Sequence, residues 1–221
     1  MRRVFLAPYA CSGFAGLVYE LAWTRLLTLY MGHGTAAAST VVAAFMGGLA
    51  AGSALGGWMA PRLPPHRTLY AYVALEAIVV LVALVYPLES KALTPLLAWA
   101  YRDGTADLLF PTIRLLSCLA LASLPAIALG ATFPFAVRWF EGGNARPGHG
   151  AGELYAANTL GAAIGALGAG FVFLPRIGTS GTILVGVLAS SLSVAGALWV
   201  GRRVPWDVDA LVKTKPRRGR W

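Results

Sequence analysis

The sequence predicts an all-α integral membrane protein of six transmembrane helices, with both termini in the cytoplasm. Three observations predict it. The 221-residue chain is 57% hydrophobic and 12% charged, with a mean hydropathy of +0.67, whereas soluble domains carry roughly 25% charged residues. Apolar runs recur along it, several longer than the roughly 18 residues that mark a spanning helix. Its Lys and Arg residues alternate between dense and sparse from one connection to the next, as the positive-inside rule requires.

The spans fall at about 5–31, 35–60, 68–88, 108–134, 151–174 and 179–200. They make one transmembrane domain, 1–204, followed by a basic tail, 205–221. Met1-Arg2-Arg3 before an apolar run has the look of a signal peptide. The run continues to Met31, past the roughly 7–15 residues of a signal core, and is expected to stay as the first span. Within it lies "YELAWTR", residues 19–25. Glu20 falls about 15 residues, or roughly 22 Å, into the helix. Arg25 lies roughly 7–8 Å beyond and can snorkel outward. The two are about 140° apart around the helix and are not expected to pair. Glu20 therefore needs a partner on another helix, a watery cavity or a proton.

The second span reads "AAFMGGLAAGSALGGW", with Gly48, Gly52 and Gly56 at spacing four and Ala44 extending the row. Small residues at that spacing form a flat ridge on which another backbone can lie. The third span carries Glu76 about eight residues in. After it, 89–107 holds Leu93, Leu96, Leu97 and Trp99 among polar residues, as in a short helix lying at the interface. The fourth span is punctuated by Pro111, Pro125 and Pro134, with Gly130 between them, and should be kinked or locally unwound. The fifth opens with Glu153, Tyr155, Asn158 and Thr159. It then repeats the ridge at Ala157, Gly161, Gly165 and Ala169. "GAAIGALGAG" is not read as a dinucleotide loop, since no strand precedes it and the spacing differs. Equivalent ridges in spans two and five suit two repeats of three helices.

With the N-terminus inside, the cytoplasmic segments hold thirteen basic residues and the outer segments four, Lys91, Arg102, Arg114 and Arg176. Lys213, Lys215, Arg217, Arg218 and Arg220 crowd the tail, where they are expected to meet anionic lipid or a partner rather than nucleic acid. Cys11 and Cys118 lie in apolar runs and suggest neither a disulfide nor a metal site. His33, His66 and His149 are scattered among loops. No catalytic group, cofactor or metal site is expected in this chain. Glu20, Arg25, Glu76, Glu153 and Asn158 form the candidate intramembrane polar set. They serve either a cation or proton path or the hydrogen bonding of helix to helix.

"SGFAGLVYELAWTRLL" (12–27), "STVVAAFMGGLAAGSALGG" (39–57), "LGATFPFAVR" (129–138) and "LYAANTLGAAIGALGAGFVFLPRIGTSGT" (154–182) together resemble the membrane portion of the bacterial fused MFS/spermidine-synthase-like proteins. The resemblance runs over about 10–200. It implies half of a major-facilitator-type bundle in the bacterial inner membrane. In that family a cytoplasmic aminopropyltransferase-like domain uses decarboxylated S-adenosylmethionine and a polyamine. The sequence ends at Trp221, so the family's catalytic residues have no counterparts here. The loop "GGWMAPRLPPHRT" also lacks the acidic residue of the facilitator signature, with Pro61 near its place.

The expected function is therefore a non-catalytic membrane subunit or anchor. Its Gly/Ala ridges pack into a larger complex with lipids, other membrane subunits or a second copy, and a synthase-like partner is one candidate. Two alternatives stand beside it. One is a homodimeric transporter half for a cation such as a polyamine. The other is the membrane part of a split polyamine-synthesis enzyme.

Overall fold

The computed structural model describes residues 2–31, 35–100, 109–142 and 148–204. Among them the chain is helical and forms no strand. A 3₁₀ turn, Arg2–Phe5, leads into α1 (Leu6–Met31), followed by α2 (Thr35–Met59). Pro61 lies in a second 3₁₀ turn, Ala60–Arg62, and Leu63 is extended ahead of Pro64, as the residue before a proline prefers. Pro65, which has no N–H to leave unpaired, opens α3 (Pro65–Ala100). Then come α4 (Leu109–Glu141), α5 (His149–Gly168), a π-helical turn (Ala169–Phe173) and α6 (Leu174–Arg203). The Glu141 carboxylate accepts hydrogen bonds from the N–H groups of Gly148 (2.8 Å) and Ala151 (3.2 Å). It thereby places negative charge at the positive end of α5.

Five stretches are long and apolar enough to cross a membrane, and the last of them, Gly150–Arg203, contains both α5 and α6. Past the π-helical turn, α6 itself is kinked at Gly178, at φ 68° and ψ −175°, a backbone conformation in which a Cβ is strained. The six α-helices among the described residues match the number expected from the sequence.

Two expectations are corrected. Residues 89–100 are not a separate interfacial helix but the continuation of α3, which runs unbroken to Ala100. Pro87 and Pro95 fall inside this stretch, and the helix continues through both. Residues 101–107 lie outside the described residues. The fourth span is also not unwound. Pro125 and Pro134 are accommodated inside one helix that extends to Glu141.

Two helix pairs pack most extensively, α2 on α4 and α1 on α5. α1 also packs on α6, and α3 packs on α4 and α6. Exchanging helices one with four, two with five and three with six maps these contacts onto themselves, as two repeats of three would. The tight pairs use the predicted ridges. A Cβ at Gly52 would overlap the Ile127 carbonyl, and one at Gly130 the Leu49 carbonyl. Cβ atoms at Gly161 and Gly165 would strike the carbonyls of Ala10 and Phe14, and one at Gly13 that of Asn158. Gly48 faces Ala126 and Ser123, and Gly56 faces Ala131. Both pairs are therefore seams of backbone on backbone, with glycine on each side.

Large side chains collect at the two ends of the bundle. Tyr19, Trp23, Leu27, Phe45 and Tyr86 build one cluster. Phe5, Tyr9, Tyr72, Trp139 and Leu154 build the other.

Substituting the seam glycines tests this packing. Gly52→Val and Gly161→Val are expected to cost on the order of 1–3 kcal/mol through overpacking. In a chain of this size that is a fall of roughly 2–12 °C in thermal midpoint, read in detergent. Gly47→Val and Gly57→Val, whose Cβ positions meet no atom within 4 Å, should leave the midpoint unchanged.

Candidate functional site

Between the two apolar clusters lies a polar layer. Its centre is Glu76 on α3, 0% exposed. The Ser12 hydroxyl of α1 donates to Glu76 Oε1. The other carboxyl oxygen makes no hydrogen bond of regular geometry, with the hydroxyls of Ser190 and Tyr72 close around the carboxyl. Tyr72, one turn earlier on α3, shares a 2.5 Å hydrogen bond with Ser193 of α6. Ser190 lies on the same face of α6, three residues before Ser193, and is also buried. Tyr72 and Ser190 are the other polar groups nearest to the Glu76 carboxyl. The layer ties together α1, α3 and α6, helices that the glycine seams do not join directly to α3.

Ser12 also faces a cleft of about 290 Å³ between α1, α2, α4 and α5. The cleft is walled by Phe45, Leu49, Leu129 and Phe133, with polar groups from Tyr9, Ser12, Ser53, Thr132, Tyr155 and Asn158. The two glycine seams border it through Gly13 and Gly130. Ser53 spends its hydroxyl hydrogen on the Gly130 carbonyl, 3.0 Å away, and Thr132 spends its own on Leu129, 2.6 Å away.

The sequence-predicted polar set is dispersed. Glu76 centres the polar layer, and Asn158 lines the cleft. Glu20 is buried at 8% exposure with one carboxyl oxygen unpartnered, but it is not among the cleft's walls. Arg25 is exposed, and no ion pair joins it to Glu20. Glu153 pairs with Arg3 at 2.8 Å, near the end where the chain begins. Gly48, Gly52, Gly56, Gly161 and Gly165 take the packing role expected of them. The tail residues Lys213, Lys215, Arg217, Arg218 and Arg220 lie outside the described residues.

Sequence reasoning missed Ser12, Tyr72, Ser190 and Ser193. A signal was present in "ASSLS" (189–193), a run of hydroxyls inside an apolar span, which in lipid has to find partners on a neighbouring helix.

No family model matches the chain, and no solved structure matches it. Curated relatives do. The chain is 31% identical to a polyamine aminopropyltransferase of Mycobacterium tuberculosis over 199 residues, which is 89% of this chain and 35% of that protein. It is 28% identical to polyamine aminopropyltransferase 2 of Streptomyces coelicolor over 220 residues, 99% of this chain and 36% of the relative. Polyamine aminopropyltransferase 1 of the same organism is 25% identical over 202 residues, 90% of this chain and 34% of the relative. The chain thus spans about a third of the length of the curated relatives it matches. Of the resemblance to membrane portions of fused MFS/spermidine-synthase-like proteins, these matches support the spermidine-synthase-like part, through relatives named polyamine aminopropyltransferase over most of the chain.

The polar layer generates a double-mutant test. Tyr72→Phe and Ser193→Ala each leave a buried hydroxyl without its partner and should each cost about 1–3 kcal/mol. The double variant should cost little more than either single one, giving a coupling of about 1 kcal/mol or more in thermal or denaturant unfolding. Glu153→Gln removes the ion pair with the exposed Arg3 and should move stability by less than about 1 kcal/mol.

Proposed function

We propose that this chain is the membrane-embedded module of a polyamine aminopropyltransferase system. It lies in the bacterial inner membrane with both ends cytoplasmic, and it holds aminopropyl-transfer chemistry at the membrane surface. The observation that carries the reading is where the similarity falls. It covers 89–99% of this chain, and so the helical bundle itself, in relatives named for aminopropyl transfer to polyamines. On this reading the remaining length of those relatives is where the transfer chemistry belongs, and the bundle supplies anchoring and packing.

The distribution of side chains supports insertion in lipid. Leu124, Leu160, Leu167, Leu188 and Phe171 are all more than 60% exposed, while the carboxyl and hydroxyls of the polar layer are turned inward. Such an inverted pattern suits an apolar solvent and not water. Trp58 beneath the Arg62 guanidinium (3.7 Å) and Trp199 beneath that of Arg203 (4.4 Å) suit one interface. Indole rings and cations gather there, and both arginines belong to the end assigned to the cytoplasm.

The test is fractionation of the native host with and without the gene. The protein should stay in membranes through an alkaline carbonate wash. Aminopropyl transfer to a polyamine should be measurable in those membranes and should leave them when the gene is deleted. A protein recovered in the soluble fraction overturns the reading, and so does membrane-bound transfer activity unchanged by the deletion.

A further inference from the structure

We propose that the cleft between α1, α2, α4 and α5 binds a small organic amine as a monocation, through Ser12. The amine and a proton are then alternative ways of neutralising the Glu76 carboxyl. The inference goes beyond the anchoring role and does not depend on which chemistry accompanies the bundle.

Ser12 is the decisive residue because it faces two ways. It walls the cleft, and its hydroxyl hydrogen is committed to Glu76 Oε1. A hydroxyl that has spent its hydrogen has only lone pairs left. Toward the cleft, Ser12 is then a pure acceptor backed by a buried negative charge. A protonated carboxyl reverses this. It can donate to Ser12, which frees the hydroxyl hydrogen for the cleft. The ionised site wants a hydrogen-bond donor carrying positive charge, and the protonated site does not.

Among the described residues, none of the groups around the carboxyl offers such a charge. The titratable groups nearest Glu76 are Tyr9 and Tyr19 on α1 and Tyr72 on α3. On α6 the hydroxyl of Ser190 lies at the carboxyl and that of Ser193 at Tyr72, and α4 contributes Thr132 beside Tyr9. The charged groups at the far end of α4 are occupied elsewhere. Arg138 binds the carbonyls of Leu63 and Pro61, and Glu141 caps α5. Arg3 is paired with Glu153. A buried carboxylate without a cation is costly, and a ligand ammonium at Ser12 supplies the missing charge.

The walls select among cations. A metal ion asks for about six oxygen ligands, and much of this cleft is hydrocarbon. Aromatic faces at Phe45, Phe133, Tyr9 and Tyr155 suit an organic cation. One carboxyl neutralises one charge, so a diamine or longer polyamine would carry uncompensated charge into the cleft. The volume, near the lower end of small-molecule sites, holds a ligand of few atoms.

The experiment is titration calorimetry of the full chain in detergent. The probe is phenethylamine, with 2-phenylethanol as its neutral analogue and 1,4-diaminobutane as the dication. Buffers of different ionisation enthalpy count the protons released. Below the carboxyl's own titration, amine affinity should rise about tenfold per pH unit with one proton released, and then level off. The alcohol and the diamine should bind at least tenfold more weakly than the amine. Glu76→Gln should bind the amine at least tenfold more weakly, with no pH dependence and no proton release. Ser12→Ala should weaken binding likewise. If either variant fails to fold, the wild-type proton count and ligand ranking decide. Wild-type binding that releases no proton at any pH, with an affinity that does not change with pH, overturns the proposal. So does an alcohol or diamine bound as tightly as the amine, or a folded Glu76→Gln that binds like wild type.

Discussion

Backbone carbonyls of one helix lie against glycine Cα atoms of another along two seams, α2 on α4 and α1 on α5. On the proposed reading the bundle lies in lipid, where no hydrophobic force draws helices together, because the tails are as apolar as the side chains. Association there depends on close contact, and contact is closest where a side chain is missing. Both seams carry glycine on each partner, Gly52 with Gly130 and Gly161 with Gly13, so each pair can approach along several turns. The bulky residues are left to the ends of the bundle, and the space between the two seams becomes the cleft. The cleft is a consequence of the seams. Filling any one of these glycines would push apart the walls that define it.

The polar layer answers a different constraint. α3 meets α4 and α6, and no glycine seam reaches it. Its attachment to α1 and α6 includes hydrogen bonds from Ser12 to Glu76 and between Tyr72 and Ser193. Structural hydrogen bonding alone would be satisfied by neutral groups, and the Tyr72–Ser193 pair shows that such a pair is available on these same helices. A carboxyl at 0% exposure brings a charge that its hydroxyl neighbours Ser12, Ser190 and Tyr72 can bond but not neutralise. Ionisable groups kept at such depth are associated with ligand or proton handling. That contrast within one layer separates Glu76 from the hydroxyls around it.

What was legible in the sequence was whatever a single helix carries by itself. Glycines at spacing four announce a ridge wherever they occur, so the seams of α2 and α5 were readable in advance. Which helix each ridge faces was not. Gly13 and Gly130 are isolated glycines that gain meaning only opposite Asn158 and Leu49. Glu76 stood out as a charge in an apolar run, but its partner Ser12 lies 64 residues away and is ordinary in its own context. Glu20 and Arg25 drew equal attention from the sequence. Folding sends Arg25 to the surface and leaves Glu20 buried away from the cleft, a difference of helix face that only the neighbours decide. The misreading of 89–100 has the same root. Composition reported polar residues and prolines after a span, signals of a stop that the helix runs through.

The exchange of helices one to three with four to six preserves the packing but not the chemistry. α3 and α6 occupy equivalent places and touch each other, yet α3 brings Glu76 and Tyr72 where α6 brings Ser190 and Ser193. A duplicated scaffold offers two matching positions for a charge. Two facing carboxyls at that contact would repel each other in a site with little water, and one would have to stay protonated. Occupying a single position with a carboxyl and the other with hydroxyls keeps the layer satisfied while leaving one negative charge to be answered. The symmetry accounts for the geometry of the bundle, and its breaking at α3 and α6 accounts for why the site answers to one positive charge at a time.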